Sequence, residues 1–188
     1  MTIVRTPSHP SPSLLGGSID VPPNPCRHGE ARPARPWLGE PGTAGSVAVV
    51  GAGKMGLPVA AQYASHGWSV TAVDIQQTVV DEINAGRSHV DQEPGLAAHV
   101  REAHKAGLLR ATLDAEAAAR DADVVVLIVP ILLDDEQQPD YRHMDAAVAA
   151  IGPGIHAGSS VIFETTLPVG DTRGRFVPRL EAASGLLA

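Results

Sequence analysis

The sequence is poor in the features that would place it in a membrane, on nucleic acid or in an oxidising compartment. Cys26 is the only cysteine, so no disulfide can form within the chain, as is typical of a reducing cytoplasm. No stretch approaches the ~20 apolar residues of a membrane span, and the N-terminus has no apolar secretory segment. The net charge is −7 and no basic block occurs. We therefore expect a cytoplasmic protein with no nucleic-acid and no membrane partner.

Aromatic residues make up only 3% of the chain, whereas alanine and valine are abundant, which indicates an α/β core of small aliphatic side chains. A length of 188 residues suffices for one domain with a core, but not for two domains of usual size. Nine of the 16 prolines fall in residues 1–45, where they oppose helices and strands. We predict a disordered Pro-rich extension over 1–45 and one domain over 46–188.

Short apolar runs alternate with helical segments from residue 46 onward. The run 124–129 is apolar on both faces, as a central parallel strand should be. This alternation predicts an α/β fold, a Rossmann-type doubly wound parallel sheet with right-handed crossovers. The predicted strands are 47–50, 70–73, 109–113, 124–129 and 161–164. The predicted helices are 54–65, 78–84, 95–106, 115–120, 141–151 and 171–183, with Pro178 as a local fault in the last.

A glycine-rich loop, Gly-Ala-Gly-Lys-Met-Gly, joins the first predicted strand to the first predicted helix. The G-x-G-x-x-G pattern is weak alone, but it stands here between a strand and a helix, as dinucleotide binding requires. Gly51 allows a sharp turn, Gly53 lets a pyrophosphate approach the backbone, and Gly56 lets the helix pack close to the strand. The free N–H groups of the first helical turn then bind the phosphates.

Asp74 ends the second predicted strand, 23 residues after Gly51. A carboxylate at this point accepts hydrogen bonds from both ribose hydroxyls of an adenosine, and it repels a 2′-phosphate. Arg87 is too far along the chain to reverse that preference. The sequence therefore predicts NAD, rather than NADP, as the cofactor.

Two further strand ends are candidates for the same site, because ligands of open parallel sheets bind beyond the carboxyl ends of the strands. Val129 and Pro130 end the fourth strand, and Thr166 follows the fifth. We predict that Thr166 bonds the nicotinamide end of the cofactor or a nearby water; the alternative is a turn or helix-capping threonine.

No metal site is predicted. The acidic run 134–136 reads as a solvated loop, and His99 and His104 are five residues apart rather than four, so they do not share one helix face.

From Ser46 to about Leu186 the chain resembles the N-terminal half of the UDP-glucose/GDP-mannose dehydrogenase family. The resemblance rests on the glycine loop with its following Leu-Pro, on Val-Asp-Ile at the second strand end, and on three further motifs. These segments are 51–58, 73–75, 83–86, 93–96 and 164–170. Within the family the chain is most similar to the branch that oxidises UDP-N-acetylmannosamine, through 93–100 and 107–111.

The resemblance implies an NAD-dependent, four-electron oxidation of a nucleotide-sugar alcohol to a uronic acid. By matched position, Lys54, Met55, Asp74 and Thr166 would contact NAD, with Ile75 beside them. Thr166 would also lie near the catalytic water, in a supporting catalytic role.

The chain departs from the family pattern at several positions. Ile131 stands where the family has a hydroxyl-bearing threonine, and Thr165 replaces a serine. The family's sixth strand, long central helix and second domain with a nucleophilic cysteine do not follow, and Cys26 lies in the wrong segment to replace that cysteine. We therefore expect five strands without the sixth, truncated before the substrate domain, and NAD binding without sugar oxidation by this chain alone. The nucleotide sugar would bind only with the absent half.

Two alternatives remain open from the sequence. A β-hydroxyacid dehydrogenase relative would share a similar loop and strand-five turn, although the 93–96 motif argues against it. A non-catalytic NAD-binding module that works with a partner is the other.

Overall fold

The computed structural model describes residues 2–5 and 45–188. Cys26 and most of the predicted disordered extension lie outside these residues. The described chain forms a six-stranded sheet, a two-stranded hairpin and helices on both faces of the sheet. The strands are β1 (Thr2–Arg5), β2 (Ser46–Val50), β3 (Ser69–Val73), β4 (Leu109–Thr112), β5 (Val124–Leu127), β6 (Leu132–Leu133), β7 (Pro139–Asp140) and β8 (Ser160–Phe163). The helices are α1 (Gly56–Ser65), α2 (Gln77–Asn84), α3 (Leu96–Lys105), α4 (Ala115–Arg120), α5 (Arg142–Ile151) and α6 (Val177–Ser184).

The large sheet has the strand order β1-β8-β5-β2-β3-β4. Five of its strands, β8, β5, β2, β3 and β4, are mutually parallel, and β2 lies at the centre, between β3 and β5. This arrangement confirms the predicted Rossmann-type sheet. The order reverses at β2, so the carboxyl ends of β2 and its neighbours border the crevice in which such folds bind ligands.

Alternating side chains of the central strands fill two separate cores. Val47 and Val49 of β2 pack with α1 and α3 on one face of the sheet, whereas Ala48 and Val50 pack with α4 and α5 on the other. Every residue of β5 is buried, which explains its uninterrupted apolar run, since both faces of a doubly wound sheet are covered.

Helix ends follow the sequence signals closely. The Asp114 carboxylate accepts a hydrogen bond from the Ala117 N–H at 2.9 Å and caps α4 as predicted. The predicted last helix is in two parts: a π-helical segment over Thr172–Phe176 comes first, and α6 then begins at Val177. Pro178 therefore lies in the first turn of α6, where its missing N–H costs nothing, and the predicted helix fault becomes a helix start.

The N-terminus corrects one prediction. Thr2–Arg5 pair antiparallel with β8, so residues 2–5 are a strand and not part of a disordered extension. The five parallel strands are those predicted, and the place of the family's sixth strand is taken by this antiparallel strand from the other end of the chain. Four residues followed by a proline-rich stretch carry no periodicity to reveal a strand. The pairing partner lies about 160 residues away in sequence.

The acidic run 134–136 lies in the exposed turn of a short β-hairpin formed by β6 and β7, so it is a solvated loop as predicted. One Asp134 carboxylate oxygen accepts hydrogen bonds from the N–H groups of Glu136 and Gln138, at 3.0 and 2.7 Å. Asp134 therefore orders the turn, a local role that short polar side chains often have. Across the described residues, no group of three or more His, Cys, Asp or Glu side chains is placed to hold a metal ion.

The carboxamide of Asn84 pairs with the outer edge of β4. It donates to the Ala111 carbonyl at 2.9 Å and accepts from the Ala111 N–H at 2.8 Å, as a neighbouring strand would. We expect Asn84→Ala to lower the free energy of unfolding by about 1–2 kcal/mol, because two hydrogen bonds are lost. Urea denaturation measures this change. An alanine variant as stable as the unsubstituted chain would contradict the pairing.

Candidate functional site

The glycine loop lies at the carboxyl edge of the sheet, held between the ends of two strands. The Gly51 N–H donates to the Val73 carbonyl at 2.8 Å, and the Ile128 N–H donates to the Val50 carbonyl at 2.8 Å. Gly51 has a φ of +93°, and a Cβ there would lie 2.6 Å from the Ile128 carbonyl oxygen. Only glycine meets both conditions, so the turn out of β2 depends on it.

The other two glycines of the loop differ sharply in what surrounds them. A Cβ on Gly56 would lie 1.7 Å from the Gly51 carbonyl oxygen, a backbone atom that cannot turn away as a flexible side chain could. A Cβ on Gly53 would meet no atom within 4 Å. Gly56 is thus required by the fold, whereas Gly53 leaves open a surface that a ligand can approach. This open surface fits the predicted approach of a pyrophosphate.

Helix α1 presents its N-terminus to the same space. The Leu57 N–H donates to the Gly53 carbonyl at 3.0 Å and is the first amide of the turn to bond within the helix. The preceding amides are those that helices leave for an anion. The first turn carries no acidic side chain. Since the chain has a net charge of −7, these local dipoles must supply the attraction for a diphosphate.

Asp74 faces the glycine loop from the end of β3. Its Oδ2 accepts from the Ala52 N–H and its Oδ1 from the Gln76 N–H, both at 3.0 Å. These two bonds fix the orientation of the carboxylate. Each oxygen keeps acceptor capacity for a further donor, as ribose hydroxyls would require. The bond to Ala52 also joins the two predicted parts of the site directly.

Three other predicted cofactor residues lie in the loop or directly after Asp74. Met55 and Ile75 are apolar but 67% and 90% exposed, so each offers a surface that a ligand can cover. The Lys54 Nζ donates to Gln92 Oε1 at 2.9 Å, which ties the glycine loop to the segment between α2 and α3. Sequence reasoning missed Gln92, because nothing local indicates a contact across 38 positions.

A threonine hydroxyl joins the ends of β5 and β8. It belongs to Thr165 and not to Thr166, the residue that was predicted to contact the cofactor. The Thr165 hydroxyl donates to the Val129 carbonyl at 2.8 Å. Thr166, the next residue, is exposed on the same turn, as is Pro130 after β5. Thr165 therefore has the structural role, which leaves the Thr166 side chain exposed beyond the strand ends. The position of Thr165 directly after a strand was the only available signal for its role.

A charged and aromatic cluster supports this turn from behind. The Tyr141 hydroxyl donates to Asp171, which follows the turn, and this hydrogen bond raises the pKa of Tyr141. The Arg175 guanidinium lies 4.1 Å from the centre of the Tyr141 ring and pairs with Asp145 of α5. These contacts fix the π-helical segment on α5 and thereby the far end of the turn that carries Thr166.

The fold and these contacts define a class of protein. A G-x-G-x-x-G loop at the reversal point of a parallel sheet, with an acid bonded to it from the next strand, is an NAD-binding Rossmann domain. Residues 45–186 match the sequence model of the UDP-glucose/GDP-mannose dehydrogenase family, NAD binding domain. The chain belongs to this family, which confirms the resemblance and decides against the β-hydroxyacid dehydrogenase alternative.

Curated relatives agree with this assignment. The chain is 43% identical over 127 residues to an NDP-N-acetyl-D-galactosaminuronic acid dehydrogenase of Ralstonia nicotianae, covering 68% of this chain and 29% of the relative. It is 39% identical over 127 residues to the UDP-N-acetyl-D-mannosamine dehydrogenase of Escherichia coli, with the same coverages. The chain thus spans less than a third of the length of these relatives.

Solved structures of the family superpose on the described domain. A UDP-D-ManNAc dehydrogenase of Pyrococcus horikoshii gives a TM-score of 0.70 at 31% identity, over 76% of this chain and 33% of that one. A UDP-glucose dehydrogenase of Pyrobaculum islandicum gives 0.71 at 29% identity, over 76% and 34%. Among the residues that are described here, no helix is long and apolar enough to cross a membrane.

Proposed function

We propose that this domain binds NAD along the carboxyl edge of its sheet, with each half of the dinucleotide on its own side of β2. The amides of the glycine loop and of α1 hold the diphosphate over Gly53. Asp74 accepts the adenosine ribose hydroxyls, and Ile75 and Met55 cover apolar parts of the cofactor. The observation that carries this proposal is the Asp74–Ala52 hydrogen bond, because it holds the ribose acceptor and the phosphate loop in one unit.

The nicotinamide end is proposed to lie over β5 and β8, beside Val129, Pro130 and Thr166. NAD, when bound, supplies a hydride acceptor at this end. Thr166 would hold the carboxamide of the nicotinamide or a water beside it, since its side chain is exposed while Thr165 fixes the turn. We assign Thr166 a supporting catalytic role on this basis.

The substrate class we propose is a UDP-linked N-acetylhexosamine, oxidised at a primary alcohol to the uronic acid in the cytoplasm. Two relatives support this class: the Escherichia coli protein is named for UDP-N-acetyl-D-mannosamine, and the Ralstonia nicotianae protein for an NDP-linked N-acetyl-D-galactosaminuronic acid. The chain spans less than a third of their length, so the sugar would be bound by residues that this sequence does not contain. The oxidation to an acid needs an activated thiolate as nucleophile, and the one cysteine here, Cys26, precedes the domain.

Titration calorimetry of the 188-residue chain tests the proposal. We expect saturable binding of NAD, and binding of NADP at least about tenfold weaker, because the 2′-phosphate would face Asp74. We expect no NADH formation when UDP-N-acetylmannosamine is added. No heat with NAD at millimolar concentration would contradict the cofactor site, whereas robust NADH formation by this chain alone would contradict the need for a further thiolate.

A further inference from the structure

The outer edge of β8 is covered by a segment that lies outside the family match. The family match covers 45–186, whereas β1 consists of Thr2–Arg5 and pairs with β8 over four residues. In a doubly wound sheet of order 3-2-1-4-5-6, this place belongs to a sixth strand. Here it holds an antiparallel strand from the N-terminus.

The backbone directions show which groups of β8 the N-terminal strand satisfies. The N–H groups of Ser160 and Glu164 donate to carbonyls on the β5 side, at 3.0 Å each. Because successive residues of a strand point their backbone groups to opposite sides, Val161 and Phe163 face β1. Their register partners are Val4 and Thr2. Without β1, two N–H and two C=O groups of β8 would lack a strand partner.

β8 lacks the charged residues and prolines that keep an exposed sheet edge from pairing with other strands. Ser160–Phe163 contain no charge and no proline, and all four residues are buried. The opposite edge differs, because β4 carries Arg110 and its outward backbone groups at Ala111 are paired with the Asn84 carboxamide. Uncharged, apolar edges without proline are the ones that pair with other chains.

We propose that Thr2–Arg5 are a protective edge strand, and that their removal from the sheet turns β8 into a self-association surface for a second copy of this chain. Two β8 strands can pair antiparallel about a two-fold axis, which satisfies both sets of backbone groups with identical surfaces. The chain can supply its own cap because Arg5 and Ser46 both lie at the amino edge of the sheet, with β8 and β5 between their strands, a separation of roughly 14 Å.

Val4→Pro in the full chain tests this proposal, because proline removes the N–H that faces β8. We expect the amides of Val161 and Phe163 to exchange with deuterium at least about tenfold faster, since they open locally. We also expect light scattering to show a shift toward twice the monomer mass at concentrations where the unsubstituted chain does not associate.

Ile3→Pro is the matched control, because its N–H faces away from β8 and edge strands tolerate proline there. Val4→Thr is a second control that keeps both the N–H and the β-branched shape. Both should keep slow exchange and the parent mass. Unchanged exchange in Val4→Pro would overturn the capping role; faster exchange without any rise in mass would overturn self-association. NAD binding does not enter either measurement, so the result is independent of the proposed function.

Discussion

Replacing Gly56 by alanine should destabilise the domain and abolish NAD binding. The new Cβ would lie 1.7 Å from the Gly51 carbonyl oxygen and 2.8 Å from its carbon. Neither end can move freely, because Gly51 is held between β3 and β5 and residue 56 begins α1. Overpacking in a core lowers the free energy of unfolding by about 1–3 kcal/mol. A methyl group that overlaps rigid backbone atoms should lower it by about 3 kcal/mol or more. Thermal unfolding should shift down by roughly 6–12 °C.

Gly53→Ala is the matched control, because it adds the same methyl group on the open surface that faces the proposed ligand. Its Cβ meets nothing within 4 Å in the protein, so we expect an unfolding temperature within about 2 °C of the parent. NAD affinity should still fall at least about tenfold, because the methyl group occupies the space of the pyrophosphate. Scanning calorimetry measures the unfolding temperature of each variant, and titration calorimetry measures its NAD affinity. A Gly56→Ala variant of parental stability, or a Gly53→Ala variant of parental affinity, would contradict this division of roles.

Replacing Asp74 by alanine should weaken NAD binding by about 10- to 100-fold, or about 1.4–2.8 kcal/mol. The substitution removes the proposed acceptor of the ribose hydroxyls, and the net loss of one hydrogen bond to a charged group costs about 1.5–3 kcal/mol. It also leaves the Ala52 and Gln76 amides without their acceptor, which loosens the glycine loop. NADP should lose much less affinity than NAD, since the repulsion of its 2′-phosphate disappears with the carboxylate.

Asp81→Ala provides the control for charge. Asp81 lies on the neighbouring helix α2 and accepts a hydrogen bond only from Gln77 among the contacts described for its side chain. Asp81→Ala removes one negative charge, as Asp74→Ala does. It should leave the affinities for NAD and NADP close to those of the parent. Should Asp74→Ala keep the parental ratio of the two affinities, Asp74 would not face the adenosine ribose.

The structure brings residues of the candidate site together where their contacts are local. The glycine loop, Asp74 and the α4 cap at Asp114 depend on residues a few positions apart or on a strand directly beside its neighbour. Contacts between distant segments were not predictable in this way. The Lys54–Gln92 bond, the Thr165–Val129 bond and the Asn84–Ala111 pairing each require two segments whose proximity exists only after the sheet has formed.

The sequence alone determined the class of fold, the cofactor and the family, because apolar periodicity, turn glycines and a strand-end carboxylate act through neighbours along the chain. Only the tertiary structure decided how the edges of the sheet are closed. Thr2–Arg5 have no strong strand signal of their own. They become a strand because β8 offers an unpaired row of backbone groups, and such a row exists only once β5 and β8 have come together.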